Sequence, residues 1–279
     1  MSMKKVLIVD NDNASIQSMK RVVEDNDFSP QLIIGLEQLE PFKGLDGDVQ
    51  RIEMGPDDFP PLAFVADYLG GILTPAAEIM GVLKARNVCC IATTITKQQT
   101  LSIADFGINK LDMINWVSRW LQPIYALASN QEAVVRTSIS GRRKILIVHP
   151  SVDTCLSTME GLRRNDYPCV EPIMKVTHFA DGVLSGRNHR NQKVDVALDE
   201  LAVLFADAPL NENSDDSISA KDIIRGAKGA GVCCVTTSVS KSGILPEADF
   251  MIDETQRRNF AERWMRAIYP TACKTLSKG

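Results

Sequence analysis

Short continuous apolar runs alternate along this chain with longer stretches in which apolar residues return every three or four positions. Residues 6–9, 62–66 and 88–93 are runs of the first kind, too short for buried helices and therefore read as strands covered on both faces. Ile16, Met19 and Val23 recur at helical spacing behind Asp12 and Asn13, either of which can cap the helix. Residues 31–34 add a second strand, 75–85 another helix and 105–108 a short last strand. From about Asp112, the residues Met113, Trp116, Val117, Trp120, Leu121 and Ile124 form one broad stripe of a closing helix. Between them, residues 36–60 carry Gly44, Gly47, Gly55, Pro56 and Pro60 and read as an elaborated loop.

The same order then returns. Residues 145–148 predict a strand, Leu156, Met159 and Leu162 a helix, and 170–174 a strand, followed by a polar insertion around 185–193. A strand over 203–206, a helix over 220–230, a strand over 232–236 and a closing helix striped by Phe260, Trp264, Met265 and Ile268 complete the second half. Residues 88–125 align without a gap on 232–269, and 15 of those 38 pairs are identical, among them Cys89-Cys90 with Cys233-Cys234 and Ala104-Asp105-Phe106 with Ala248-Asp249-Phe250. The chain is a tandem duplication. Its expected domains are 1–128 and 143–279 with a polar linker at 129–142. Strands alternating with helices make each half a doubly wound parallel-sheet α/β domain.

Composition narrows the partners. With 31 basic and 35 acidic residues and a formal charge of -4, the chain offers no broad attraction to nucleic acid or to an anionic membrane. The apolar run after Lys5 is too short for a signal-peptide core, and no run approaches a membrane span, so a cytoplasmic location is expected. The seven cysteines are too few for a disulfide framework, and the adjacent pairs read as small apolar fillers, with a redox role as the alternative.

In a sheet of this kind, ligands collect beyond the carboxyl ends of the strands. Asp10 ends the first strand, Asp67 the third and Thr93 or Thr94 the fourth, while Lys110 follows the fifth, so two carboxylates, a hydroxyl and an ammonium converge. This pattern resembles the receiver domain of two-component response regulators, a flavodoxin-like fold, and the resemblance covers nearly the whole chain. It implies Asp67 as phosphoacceptor, Thr93, Thr94 and Lys110 as groups that follow the phosphoryl oxygens, and Asp10 with Asn11 or Asp12 as Mg²⁺ ligands. A carboxylate attacks phosphorus poorly unless a metal neutralises the oxygens on both sides.

Both halves depart from the pattern. In the first, Asn11 replaces the second acid, Tyr68-Leu69-Gly70-Gly71 follows the acceptor, and Leu111 stands where the family carries proline. In the second, His149-Pro150 replaces the acidic pair and Glu254 the lysine, leaving Asp207 and Thr237 facing a site with no cation. His149 reads as a hydrogen-bonding filler or a general base, and His178 and His189 as surface residues. Lys97 and Lys241, identical in both copies, read as exposed loop residues or phosphate contacts, and no glycine-rich nucleotide fingerprint follows the first strand, where Asn11-Asp12-Asn13 stands. The aromatic stripes suggest Trp116, Trp120, Tyr125, Trp264 and Tyr269 as an interface between halves or in a homodimer, against ordinary core packing.

The expectation is a non-enzymatic signalling or scaffold protein of two degenerate receivers, docking other signalling proteins, with phosphorylation lost in the second half. No output module is expected after the second closing helix. No cofactor is expected, apart from Mg²⁺ in the first half under an alternative in which a histidine kinase phosphorylates Asp67. A small-molecule-binding or hydrolytic α/β protein is the third reading.

Overall fold

The chain divides into two units, Met1–Glu132 and Ala133–Gly279. The computed structural model describes residues 4–10, 12–33, 59–66, 76–94, 102–129, 143–207, 218–237 and 247–275.

In the first unit, β1 (Lys4–Val9) is followed by α1 (Asn13–Glu24), whose N-cap Asp12 accepts the Ala14 N–H. Ile16, Met19, Val22 and Val23 give α1 its buried face. β2 (Phe28–Ile33) begins earlier than the apolar pattern predicts and contains Pro30, which is tolerated because β2 lies at the edge of this unit's strand order. β3 (Leu62–Ala66), α2 (Ala76–Lys84), β4 (Cys89–Thr94) and β5 (Phe106–Asn109) follow. All pairings are parallel, in the order β2-β1-β3-β4-β5. The loop expected over 36–60 lies almost wholly outside the described residues.

The closing helix is interrupted. α3 (Met113–Trp116) passes through a π-type turn at Val117–Leu121 into α4 (Gln122–Ala128). Pro123 has no N–H for the carbonyl one turn back, and widening that turn relieves the ring clash.

The second unit has β6 (Lys144–Val148) and α5 (Val152–Arg163), capped by Ser151. Leu156, expected on the inner face of α5, is instead 51% exposed. The buried face runs through Cys155, Thr158, Met159 and Leu162, about a quarter-turn away. The strand expected over 170–174 is reduced to two isolated bridges beside β6, Ile145 with Cys169 and Val148 with Ile173. Pro172 removes the N–H that a continuous ladder would need there.

What reads as a polar insertion is an antiparallel meander of β7 (Lys175–Ala180), β8 (Val183–Arg187) and β9 (Lys193–Ala197). A bulge between Val176 and His178 breaks the strict alternation of β7 and hides it from a period-two reading. The usable signal was the Asp181-Gly182 pair, both at positive φ, which turns β7 into β8. β10 (Leu201–Ala206), α6 (Ala220–Gly229), β11 (Cys233–Thr237) and β12 (Phe250–Ile252) then restore the parallel pattern in the order β6-β10-β11-β12. The unit closes with α7 (Arg257–Arg263) and α8 (Met265–Thr275). The meander seats on α6, where a Cβ added at Gly226 would stand 2.3 Å from the Phe179 ring.

Two of the identities, Cys90 with Cys234 and Asp105 with Asp249, are explained at the amino ends of the strands. Asp105 accepts the Cys90 N–H through Oδ2 (3.0 Å) and returns its own N–H to the Cys90 carbonyl (2.8 Å), with Lys84 Nζ 3.7 Å away. Asp249, Cys234 and Lys228 repeat this at 2.9, 2.8 and 4.0 Å. A buried carboxylate thus clasps the last two strands of each unit, on the edge opposite the strand-end residues.

The cysteines are free thiols. Burial, assisted by Asp105, pushes the Cys90 thiol up to about 12, and burial pushes Cys155 and Cys169 up to about 11. Thiolate appears only as pH rises toward those values. At about pH 8 all three are expected to react with iodoacetamide far more slowly than free cysteine, and peptide mass spectrometry of the alkylated chain checks it. Fast labelling of Cys90 would restore the redox reading.

Candidate functional site

The residue after β1 serves two partners. Asp10, 1% exposed, accepts the Asp12 N–H through Oδ1 at 3.0 Å, and Lys110 Nζ lies 2.6 Å from its Oδ2. Lys110 reaches it from the turn after β5, where Asn109 accepts the Leu111 N–H and starts a single helical turn. Two strand-end groups expected to converge do so. Thr93, on β4, is buried, and its Oγ1 finds no hydrogen-bond partner among the described residues. Asp67, Asn11, Lys97, Gly70 and Gly71 lie outside the described residues, as does the Thr94 side chain. The described part of this site therefore offers a cation one inner carboxylate, already facing an ammonium. Asp12, the other acid, spends Oδ1 on its helix cap.

In the second unit, His149 occupies the same two-sided position. Its Nδ1 accepts the Ser151 N–H at 2.9 Å, as Asp10 accepts that of Asp12, and its Nε2 lies 2.7 Å from Asp207 Oδ2. A nitrogen that accepts cannot also carry a proton, so this network describes neutral His149 donating through Nε2–H. The Thr237 hydroxyl donates to Asp207 Oδ1. Both carboxylate oxygens of Asp207 are thus engaged by side chains of the unit itself. The order is wrong for nucleophilic catalysis, because the carboxylate, not the imidazole, takes the hydroxyl proton's hydrogen bond.

Glu254, which stands at the lysine position, accepts the Thr154 hydroxyl at 3.3 Å. The cation that the sequence pattern did not anticipate in this unit is Arg257. This residue is 3% exposed, none of its guanidinium nitrogens has a hydrogen-bond partner among the described residues, and it lies within electrostatic reach of Asp207, Cys155 and Glu254. Burial pulls its pKa below the ordinary value while Asp207 pulls it back. The alignment conceals this cation, because the residue paired with Arg257 is Met113.

The aromatic residues suggested as an interface present no exposed surface. Trp116 packs on Phe64 and Phe106, Tyr125 on Phe28, and Tyr269 on Tyr167, while Trp120 and Trp264 are fully buried. The exposed large apolar side chains among the described residues are Leu111, Ile114, Val152 and Leu156. His178 and His189 are exposed, as expected. Among the described residues no cluster of three acidic, His or Cys side chains is placed to hold a metal, and no helix is long and apolar enough to cross a membrane.

The strand order of the first unit is that of flavodoxin-like folds, whose ligand crevice lies between β1 and β3. Among solved structures, the chain is similar to a receiver domain protein (CheY-like) from Methanospirillum hungatei JF-1, at 16% identity and a TM-score of 0.33, over 47% of this chain and 99% of that one. It is similar to a probable two-component system response regulator/GGDEF domain protein, at 15% identity and a TM-score of 0.34, over 86% of this chain and 84% of that one. NtrX from Brucella abortus matches at 11% identity and a TM-score of 0.33, over 74% and 52%. No protein-family model and no curated protein matches the chain.

Proposed function

We propose that the chain is a non-enzymatic signal-transduction or scaffold protein built from two receiver-like units, acting through the proteins it binds, with phosphoryl acceptance lost in the second unit. The observation that carries this reading is the engagement of both Asp207 oxygens by His149 and Thr237. With each oxygen already held by a side-chain donor, Asp207 would have to give up one of these bonds to attack phosphorus. Among the described residues, His149 occupies the place of the acid that would bring a metal.

Incubating the full chain with acetyl phosphate and Mg²⁺, then trapping acyl phosphates with hydroxylamine and mapping them by mass spectrometry, tests it. No modification at Asp207 is expected, and an aspartyl hydroxamate there would end the proposal.

A second reading, phosphorylation at Asp67, is favoured by the Asp10–Lys110 pair, which preserves the acid and the ammonium that a phosphorylatable receiver is expected to hold. It requires a hydroxamate at Asp67 that disappears in Asp67→Asn.

A further inference from the structure

We infer that the strand-end site of the second unit is a switch locked by its own side chains, in which Arg257 supplies the positive charge and the Asp207 carboxylate, rather than a phosphoryl group, holds Thr237 inward. This rests on the proposal that the unit no longer accepts phosphate, and it assigns that site its regulation.

The first argument is the relocation of charge between the two copies. Lys110 faces Asp10 in the first unit, whereas Glu254 holds the lysine's place in the second. Three residues on, buried Met113 becomes buried Arg257. A cation has been lost at one position and gained three residues further along the chain.

The second argument is charge balance. An ionised carboxylate at 4% exposure needs more than neutral donors to offset its desolvation. With Nδ1 accepting from Ser151, His149 donates as a neutral ring, and Thr237 is neutral as well. Burial keeps the Cys155 thiol protonated near neutrality. Among the described residues the compensating charge falls to Arg257. Conversely, a buried guanidinium with no hydrogen-bond partner among the described residues is tolerated only beside a negative charge, and Asp207 and Glu254 are the described acids in its reach.

The third argument is the hydrogen bond that Thr237 makes. Its Oγ1 is bonded to Asp207. A hydroxyl hydrogen bond to a carboxylate is charge-assisted and roughly twice as strong as a neutral one. The residue that would respond to a phosphoryl group is thus already occupied in the second unit.

A double-mutant cycle in the full chain tests the lock, with Arg257→Met, which installs the first unit's residue, and Asp207→Asn. Urea unfolding is expected to show non-additivity of about tenfold or more in the unfolding equilibrium constant. The Thr237 methyl resonance is expected to shift in Arg257→Met toward its position in Asp207→Asn, and to stay near the parent position in Arg257→Lys. An additive cycle, or an unmoved Thr237 resonance in Arg257→Met, overturns the lock. Should Arg257→Met fail to fold, the double variant is expected to fold, and its failure also overturns the lock. An aspartyl phosphate at Asp207 in the parent would sink the proposed function itself, whereas additivity in a chain that takes no phosphate there sinks only the lock.

Discussion

Asp249→Ala is expected to lower the stability of the chain by about 3–5 kcal/mol, the usual cost of removing one partner from a buried charged network. The carboxylate is 6% exposed, accepts the Cys234 N–H at 2.9 Å and has Lys228 at 4.0 Å. Its loss deprives a buried amide at the start of β11 of its carboxylate acceptor and leaves the ammonium without this counter-charge. Asp249→Asn keeps an oxygen for the amide and removes only the charge, so it should cost about 1–2 kcal/mol. Asp105→Ala should behave like Asp249→Ala, because Cys90 and Lys84 repeat the arrangement. Urea denaturation of the three variants checks this. If the alanine variants cost no more than the asparagine variant, the clasp contributes nothing as a hydrogen-bonded unit.

The second large effect is expected at Lys110. Replacing it with methionine leaves the Asp10 carboxylate buried with the Asp12 N–H as its hydrogen-bond donor, at a cost of about 3–5 kcal/mol. Adding Asp10→Asn should recover most of that loss, because the orphaned charge disappears and the amide oxygen still accepts the same N–H. Denaturant midpoints of the parent, both single variants and the double variant decide the matter. A loss below about 1 kcal/mol for Lys110→Met would mean that water screens the pair as it screens surface ion pairs.

These effects fall in places that differ in legibility. β1, β3, β4, β6, β10 and β11 were readable because each carries a short apolar run buried on both faces, and β3, entirely buried, matches its sequence expectation at both ends. The meander was not, because the bulge in β7 places Val176 and Phe179 three residues apart and mimics neither period. Asp10 and Lys110 could be paired from their strand-end positions alone. Arg257 could not, since it sits among the apolar positions of a closing helix, where its copy is methionine and charge is not anticipated. Asp105 and Asp249 were noticed as identities, but their work is to tie backbone, which repetition alone cannot distinguish from chemistry.

Gly226 carries a consequence for building chimaeras from the two copies. Its paired position in α2 is Val82, and the Phe179 ring occupies the space that any β-carbon at 226 would need. Transplanting 175–197 into the first half would drive that ring against the valine, so an exchange of inserts succeeds only if the helix residue travels with it.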